Sequence, residues 1–261
     1  MTESRFIDIH GVTLEYLRIP ATEPGRPPLV LLHEGLGSVA MWRDFPRRLA
    51  EATGAEVVAY SRRGYGQSAK LAAPNTVDYM HDEARDVLPE LLKQLKLDRP
   101  VLIGHSDGGS IALIYAGGGL APLSGLVLMA PHVFVEDITI ASIAAAKVAY
   151  ETTDLGQRLG RYHSDPDHSF WGWNDIWLLP AFRHWNIEEF VPKVACPILV
   201  IQGRDDEYGT PAQLDAIKRL ATAPTQIALL PDCHHSPHRD QPAHTLALIA
   251  DFVAGIAPPA P

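Results

Sequence analysis

Val101-Leu102-Ile103-Gly104-His105-Ser106-Asp107-Gly108-Gly109-Ser110 decides how this chain is read. Its first three residues form an apolar run of strand type, and the next five turn sharply through small side chains. Ile111-Ala112-Leu113-Ile114-Tyr115-Ala116 then reads as a buried helix. Ser106 stands at the centre of a G-x-S-x-G string. A serine on a strand-to-helix turn needs a tight backbone, and Gly104 and Gly108 leave room for it. The hydroxyl then stands clear of the sheet, while the first amides of the new helix point toward any negative charge forming nearby. The same string also suits a plain glycine-rich turn, so the flanking chain must decide between the two.

Outward from this stretch, short apolar runs alternate with helical patterns. Leu29–Leu32, Val57–Tyr60, Gly125–Met129 and Ile198–Ile201 are continuous apolar runs, the mark of strands buried on both faces. Thr225–Leu230 is read as a further strand, and Phe6–Ile9 with Val12–Leu17 as a hairpin around His10-Gly11. Helices are predicted near Met41–Thr53, Thr76–Leu95, Pro211–Leu220 and His244–Ile256, with Pro89 kinking or breaking the second. This rhythm predicts an α/β fold, a doubly wound and mostly parallel sheet. It stops beyond His132. An Ala-rich helix, Ile138–Tyr150, leads there into an aromatic stretch holding four of the five tryptophans of the chain. The segment reads as a small helical cap inserted over the sheet, dividing the chain into a core (1–134 and 191–261) and a cap (135–190). Pro20–Pro28 reads as a loop and Ala257–Pro261 as a frayed tail.

Composition excludes several roles. With 22 Lys+Arg against 31 Asp+Glu, the net charge of −9 argues against nucleic acid or an anionic membrane as partner. Cys196 and Cys233 are too few for a disulfide framework. Met1-Thr2-Glu3-Ser4-Arg5 shows no signal-peptide pattern and no run reaches membrane-spanning length, so a cytoplasmic protein is expected.

A serine hydroxyl is a poor nucleophile near neutral pH; it needs a base, and the base needs an orienting carboxylate. In a doubly wound sheet such groups collect on loops at the carboxyl ends of strands. Gln202-Gly203-Arg204-Asp205-Asp206-Glu207 follows one predicted strand, and Pro231-Asp232-Cys233-His234-His235-Ser236-Pro237-His238 follows the next. Serine, acid, histidine is the chain order this topology expects.

Over about Phe6 to Ile256, the chain resembles the α/β-hydrolase superfamily, in its serine-nucleophile, carboxylesterase-like branch. His33-Glu34-Gly35-Leu36-Gly37 resembles the loop supplying half of the oxyanion hole, and Gly104–Gly108 the nucleophile elbow. Gly203–Asp206 resembles the acid loop and Cys233–Ser236 the histidine loop. Ser61–Ser68 resembles the Asp-x-Arg-Gly-x-Gly-x-Ser segment, with Ser61 where that pattern usually has Asp; Glu34 stands where glycine is common. The resemblance implies Ser106 as nucleophile, His235 as base and Asp206 as its carboxylate, with Asp205 the alternative. It implies oxyanion amides from Asp107 and from Gly35 or Leu36. His234 and His238 are read as surface or packing residues, and Glu34 as a substrate contact or a carboxylate pinned by backbone amides. Some of Trp171, Trp173, Trp177 and Trp185 are expected to line a substrate pocket; the alternative is that they only pack the cap.

The expected activity is hydrolysis of an ester-type acyl bond of a small hydrophobic substrate, with no cofactor and no metal. Rivals on the same triad are carbon–carbon bond hydrolysis, acyl transfer and perhydrolysis. A rival of another class is a small-molecule receptor.

Overall fold

Leu29, Leu31, Val30 and Leu32 are all fully buried, as a strand covered on both faces requires. In the computed structural model, which describes residues 4–70 and 74–256, this run is strand β3 (Leu29–Leu32). The tail read at Ala257–Pro261 lies outside the described residues, as do Met1–Glu3. Before β3 come β1 (Arg5–Ile9) and β2 (Val12–Ile19), the expected hairpin. After it come α1 (Phe45–Thr53), β4 (Val57–Tyr60), α2 (Tyr79–Asp82), α3 (Leu88–Leu95), β5 (Val101–His105), α4 (Asp107–Gly117) and β6 (Gly125–Met129). Three helices follow, α5 (Asp137–Thr152), α6 (Leu155–Leu159) and α7 (Pro166–Leu178). The chain then completes β7 (Ile198–Gly203), α8 (Ala212–Leu220), β8 (Thr225–Leu230), α9 (Pro237–Asp240) and α10 (Pro242–Ala254).

The eight strands form one sheet in the order β1-β2-β4-β3-β5-β6-β7-β8. Only the β1–β2 and β2–β4 pairs are antiparallel. β3 lies between β4 and β5, with Leu29 in register with Val57 on one side and Val101 on the other. Winding reverses here, and the strand ends beside such a reversal open the crevice in which α/β folds place their chemistry. Alternation along β3 separates two apolar layers. Leu29 and Leu31 belong to the layer that holds Leu49 of α1 and Phe252 of α10, while Val30 and Leu32 belong to the layer that holds Leu91 of α3 and Ile111 of α4. Phe170 and Trp177 of α7 join the second layer, so the helices between β6 and β7 share a core with the sheet.

Two helical readings change in detail. The Met41–Thr53 pattern is not one helix: a short 3-10 turn (Ala40–Trp42) ends at Arg43 with φ 55°, and α1 starts anew at Phe45. Pro46, lacking an N–H, is tolerated only in a first helical turn, which sets that start. Pro89 likewise falls in the first turn of α3, after a π-helical turn over Glu83–Val87 that joins α2 to α3.

The Ser61–Ser68 loop is organised by a carboxylate from β2. Glu15 Oε2 accepts from Ser61 Oγ at 2.8 Å and from the Gln67 amide at 2.9 Å, and Ser61 Oγ accepts from the Val39 amide at 2.9 Å. Among the described residues, no helix is long and apolar enough to cross a membrane.

Candidate active site

Ser106, between β5 and α4, has φ 53° and ψ −119°, a strained conformation for a residue with a side chain. The flanking glycines let it persist. A Cβ at position 104 would strike the carbonyl of Gly108, and one at 108 the carbonyl of Leu32. The turn thus presents Ser106 Oγ to the loops that follow β7 and β8. His235 Nε2 lies 2.9 Å from Ser106 Oγ, and His235 Nδ1 lies 2.8 Å from Asp206 Oδ1. With Nδ1–H donating to the carboxylate, Nε2 is left to accept from the serine hydroxyl.

Asp206 is fixed before it meets the histidine. Its Oδ1 accepts from the amides of Tyr208 (2.8 Å) and Gly209 (3.2 Å), and its Oδ2 from Gln202 Nε2 (3.1 Å). Burial alone would raise its pKa, but the His235 hydrogen bond and charge hold it below the usual carboxylate range. Burial would lower the pKa of His235, and the Asp206 hydrogen bond and charge overcome this and raise it. Asp205 is exposed and serves through its backbone: its amide reaches Cys233 O at 2.9 Å, and its carbonyl accepts from His234 Nδ1 at 3.0 Å. Here Gly203 is packed so closely on the Cys233 carbonyl that a Cβ would not fit, which brings the acid and histidine loops together.

The loop after β3 is turned so that its carbonyls face inward. His33 donates from Nδ1 to Glu34 O (2.6 Å) and accepts at Nε2 from the Arg62 amide (3.0 Å). Arg62 Nη2 donates to Glu34 O at 3.0 Å and to Gly35 O at 3.5 Å, and lies 3.7 Å from Asp107 Oδ2. His163, from the inserted segment, donates to Leu36 O at 3.0 Å while accepting from the Gly66 amide. With the carbonyls so engaged, the amides of Gly35, Leu36 and Asp107 take no protein acceptor among the described residues. The Asp107 carboxyl is held at the back by Tyr79 Oη (2.6 Å) and Arg62, and burial raises its pKa despite both.

Ser106 and His235 open onto a cavity of about 200 Å³. Trp173 and Trp177 line it, with Ile143 and Leu159 from the inserted helices and Tyr208 from the acid loop. Trp171 and Trp185 stand outside it. Trp171 packs edge-on against Tyr150 and Phe170 under Lys147, and Trp185 stacks on Phe182 against Trp177. A wider groove of about 520 Å³ runs past Trp171 and Arg63 on the outer surface, and none of Ser106, Asp206 and His235 lines it.

Glu34 does line the cavity, but side chains rather than backbone amides hold its carboxylate. Arg239 Nη2 lies 3.1 Å from Oε1 and His105 Nδ1 lies 3.5 Å from Oε2. Burial would raise its pKa, and these two neighbours keep it well below the ordinary value. His238 is buried among Trp42, Phe45 and His105, and His234 is exposed, matching the packing and surface readings.

The structure brings two further histidines to the site, one of them from the His132–Phe134 loop that the sequence offers as an alternative source of specificity. His105 donates from Nε2 to the backbone carbonyl of His235 at 2.7 Å, steadying the histidine loop from inside the elbow. His132, at the end of β6, lines the cavity with its ring 5.8 Å from that of His235; burial lowers its pKa to about 3, keeping it neutral. The sequence signals were slight: His105 lies within the elbow string, and Arg239 follows His235 by one helical turn.

The sequence matches the model of the alpha/beta hydrolase family over residues 29–247. It is 26% identical to the human serine hydrolase BPHL over 246 residues, covering 89% of this chain and 80% of that protein. The proline iminopeptidase of Mycobacterium smegmatis superposes with a TM-score of 0.78 at 18% identity, covering 97% of this chain and 98% of that one. The enol-lactonase of Burkholderia xenovorans gives 0.76 at 20% identity, covering 96% and 100%. The matched span contains the elbow, the acid loop and the histidine loop, and the chain belongs to the alpha/beta hydrolase family.

Proposed function

We propose that the protein is a serine hydrolase cleaving a carboxylic ester, or a related acyl bond, of a small hydrophobic substrate through an acyl-enzyme. The observation that carries this reading is the continuous relay from Ser106 Oγ through His235 to Asp206, at 2.9 and 2.8 Å, opening onto a cavity walled in part by Trp173, Trp177, Ile143 and Leu159. As Ser106 Oγ attacks the acyl carbon, its proton passes to His235 Nε2, and Asp206 stabilises the imidazolium. Negative charge gathers on the carbonyl oxygen, which the amides of Asp107 and of Gly35 or Leu36 receive; one such donor is worth about 100-fold or more in turnover. His235 returns the proton to the leaving oxygen. It then takes one from water as the water oxygen attacks the acyl carbon, and passes that proton to Ser106 Oγ as the acyl–oxygen bond breaks. None of these steps draws on a group beyond the chain and water.

The cavity, at about 200 Å³, is smaller than the several hundred Å³ usual for drug-sized ligands. It suits a single ring or a short chain against Trp173 and Trp177. A fluorophosphonate probe should label Ser106, and a panel of p-nitrophenyl esters should be turned over with short or single-ring acyl groups preferred. Absence of both labelling and turnover in folded protein would leave the receptor reading standing instead. Transfer of the acyl group to an added alcohol or thiol in preference to water would favour the acyltransferase.

A further inference from the structure

The cavity lining is chemically mixed: Trp173, Trp177, Ile143 and Leu159 are apolar, whereas Glu34 and Arg239 bring an ion pair to it. Glu34 Oε1 accepts from Arg239, whereas Oε2 lies 3.5 Å from His105 Nδ1 without a hydrogen bond. Arg239 is not exhausted. Its Nη2 serves Glu34 and the Met41 carbonyl (3.3 Å), while Nε and Nη1 take no protein acceptor among the described residues. A guanidinium carries five N–H donors in a fixed fork that matches a carboxylate. The side chain is about a third exposed, so it can meet a ligand without first being uncovered. Arg239 therefore has donors to spare, on a cation held in place by Glu34.

Its position relative to the chemistry follows from proton transfer. The leaving oxygen must receive its proton from His235 Nε2, so the leaving group lies against the histidine loop, and Arg239 stands one turn further along that chain. We infer that Arg239, oriented by Glu34, forms a subsite for a carboxylate on the leaving-group side of the substrate. The enzyme would thus act on acyl esters of a hydroxy acid, with the hydrophobic acyl group under the tryptophans. This rests on the serine-hydrolase reading above, and the test separates the two.

The test compares acetyl and benzoyl esters of 4-hydroxybenzoate with the same esters of its neutral methyl ester, in wild type, Arg239→Gln and Glu34→Gln. Fluorophosphonate labelling of Ser106 and turnover of p-nitrophenyl acetate report the serine chemistry independently. Their failure sinks the hydrolase reading, whereas the subsite stands or falls on the kcat/KM ratio of carboxylate to neutral ester. In Arg239→Gln that ratio should fall by about 10-fold or more, the size expected of a lost charge-assisted contact. Glu34 also loses its partner in this variant, which lowers turnover of both esters and leaves the ratio informative. Glu34→Gln keeps a carbonyl oxygen to hold Arg239 Nη2 but removes the competing negative charge, so the ratio should rise; a fall would count against a carboxylate bound at Arg239. A ratio unchanged in Arg239→Gln overturns the subsite. So does a selective loss for p-nitrophenyl hemisuccinate, which carries its carboxylate on the acyl side.

Discussion

Ser106, Gly35, Asp206 and His235 hang from strand ends whose places are set by backbone pairing, whereas Trp173 and Trp177 reach the same cavity from a helix outside the sheet. The first wall tolerates no added atom at Gly104, Gly108 or Gly203, because backbone carbonyls already occupy the space. The second is a stack of rings joined to the rest by apolar contact and a few polar pins. These include His163 on Leu36 and Gly66, Ser169 Oγ on the Gly64 carbonyl (2.7 Å) and Trp177 Nε1 on Tyr79 Oη (3.1 Å). Rigid backbone suits reacting atoms that must keep sub-ångström relations. Packed side chains suit a surface that selects shape, since ring swaps there change volume without moving the relay.

The sharpest break between the walls is Ser106→Ala. It should abolish fluorophosphonate labelling and lower ester turnover by about 10⁴-fold or more with the melting temperature little changed. Retained labelling at another residue would move the nucleophile elsewhere. Next in size is Asp206→Asn, expected to cost on the order of 10³- to 10⁴-fold, against a few-fold at most for the exposed Asp205→Asn. The pH profile sharpens this pair. His235 must be neutral to accept the serine proton, and Asp206 raises its pKa, so kcat/KM should climb along one limb centred above the ordinary histidine value. In Asp206→Asn the limb should move downward; a limb that stays put would detach Asp206 from the base.

On the other wall, Trp173→Leu should re-rank short against bulky esters by about 10-fold with modest loss of stability. Trp185→Leu, in the ring stack away from the cavity, should lower the melting temperature by roughly 5 °C or more and slow all esters alike. If the two variants behave identically, the division between lining and packing tryptophans fails. The smallest effect concerns acid. His33, His132, His163 and His238 are all held neutral by burial, with pKa values below the ordinary 6.5. Below that value the unfolded chain binds protons that the folded one refuses, so their contribution is complete above about pH 6.5 and fades as the pH falls. His235, held high, contributes in the opposite sense. His81 is lowered in the same way, and the raised Glu83 and Asp107 carboxyls act with His235. With five lowered histidines against these three, the melting temperature should drop by a few degrees between pH 7.5 and pH 5, and a flat profile would contradict the assigned neutral states.

Strands and elbow were legible because their signals are local. Leu29–Leu32 and Val57–Tyr60 coincide with β3 and β4, and the G-x-S-x-G spacing is a steric fact about one turn. Asp206 could be named only through register with a known pattern, since Asp205 carries the same group one position earlier. The amides of Tyr208 and Gly209 that select between them belong to a loop conformation no periodicity announces. Arg62, His105, His163 and Arg239 were illegible for a different reason: each acts on a residue at least 27 positions away. For the tryptophans, composition drew attention to the segment but did not sort rings that face the cavity from rings that face each other. Helix phase between Trp171 and Trp173 made that difference.

Ser61 stands where the resembled pattern carries an acid, and read along the chain the charge is missing. Across the sheet it is present: Glu15 lies on the neighbouring strand and takes the Gln67 amide and the Ser61 hydroxyl. The two positions therefore behave as one unit with a single vacancy for a carboxylate. Ser61→Asp alone would crowd two negative groups into it, and Glu15→Gln alone would leave its donors with a weaker acceptor. In this chain the loop takes its negative charge from across the sheet rather than from its own first residue, so exchanging the two, Glu15→Ser with Ser61→Asp, would keep one carboxylate in the same place.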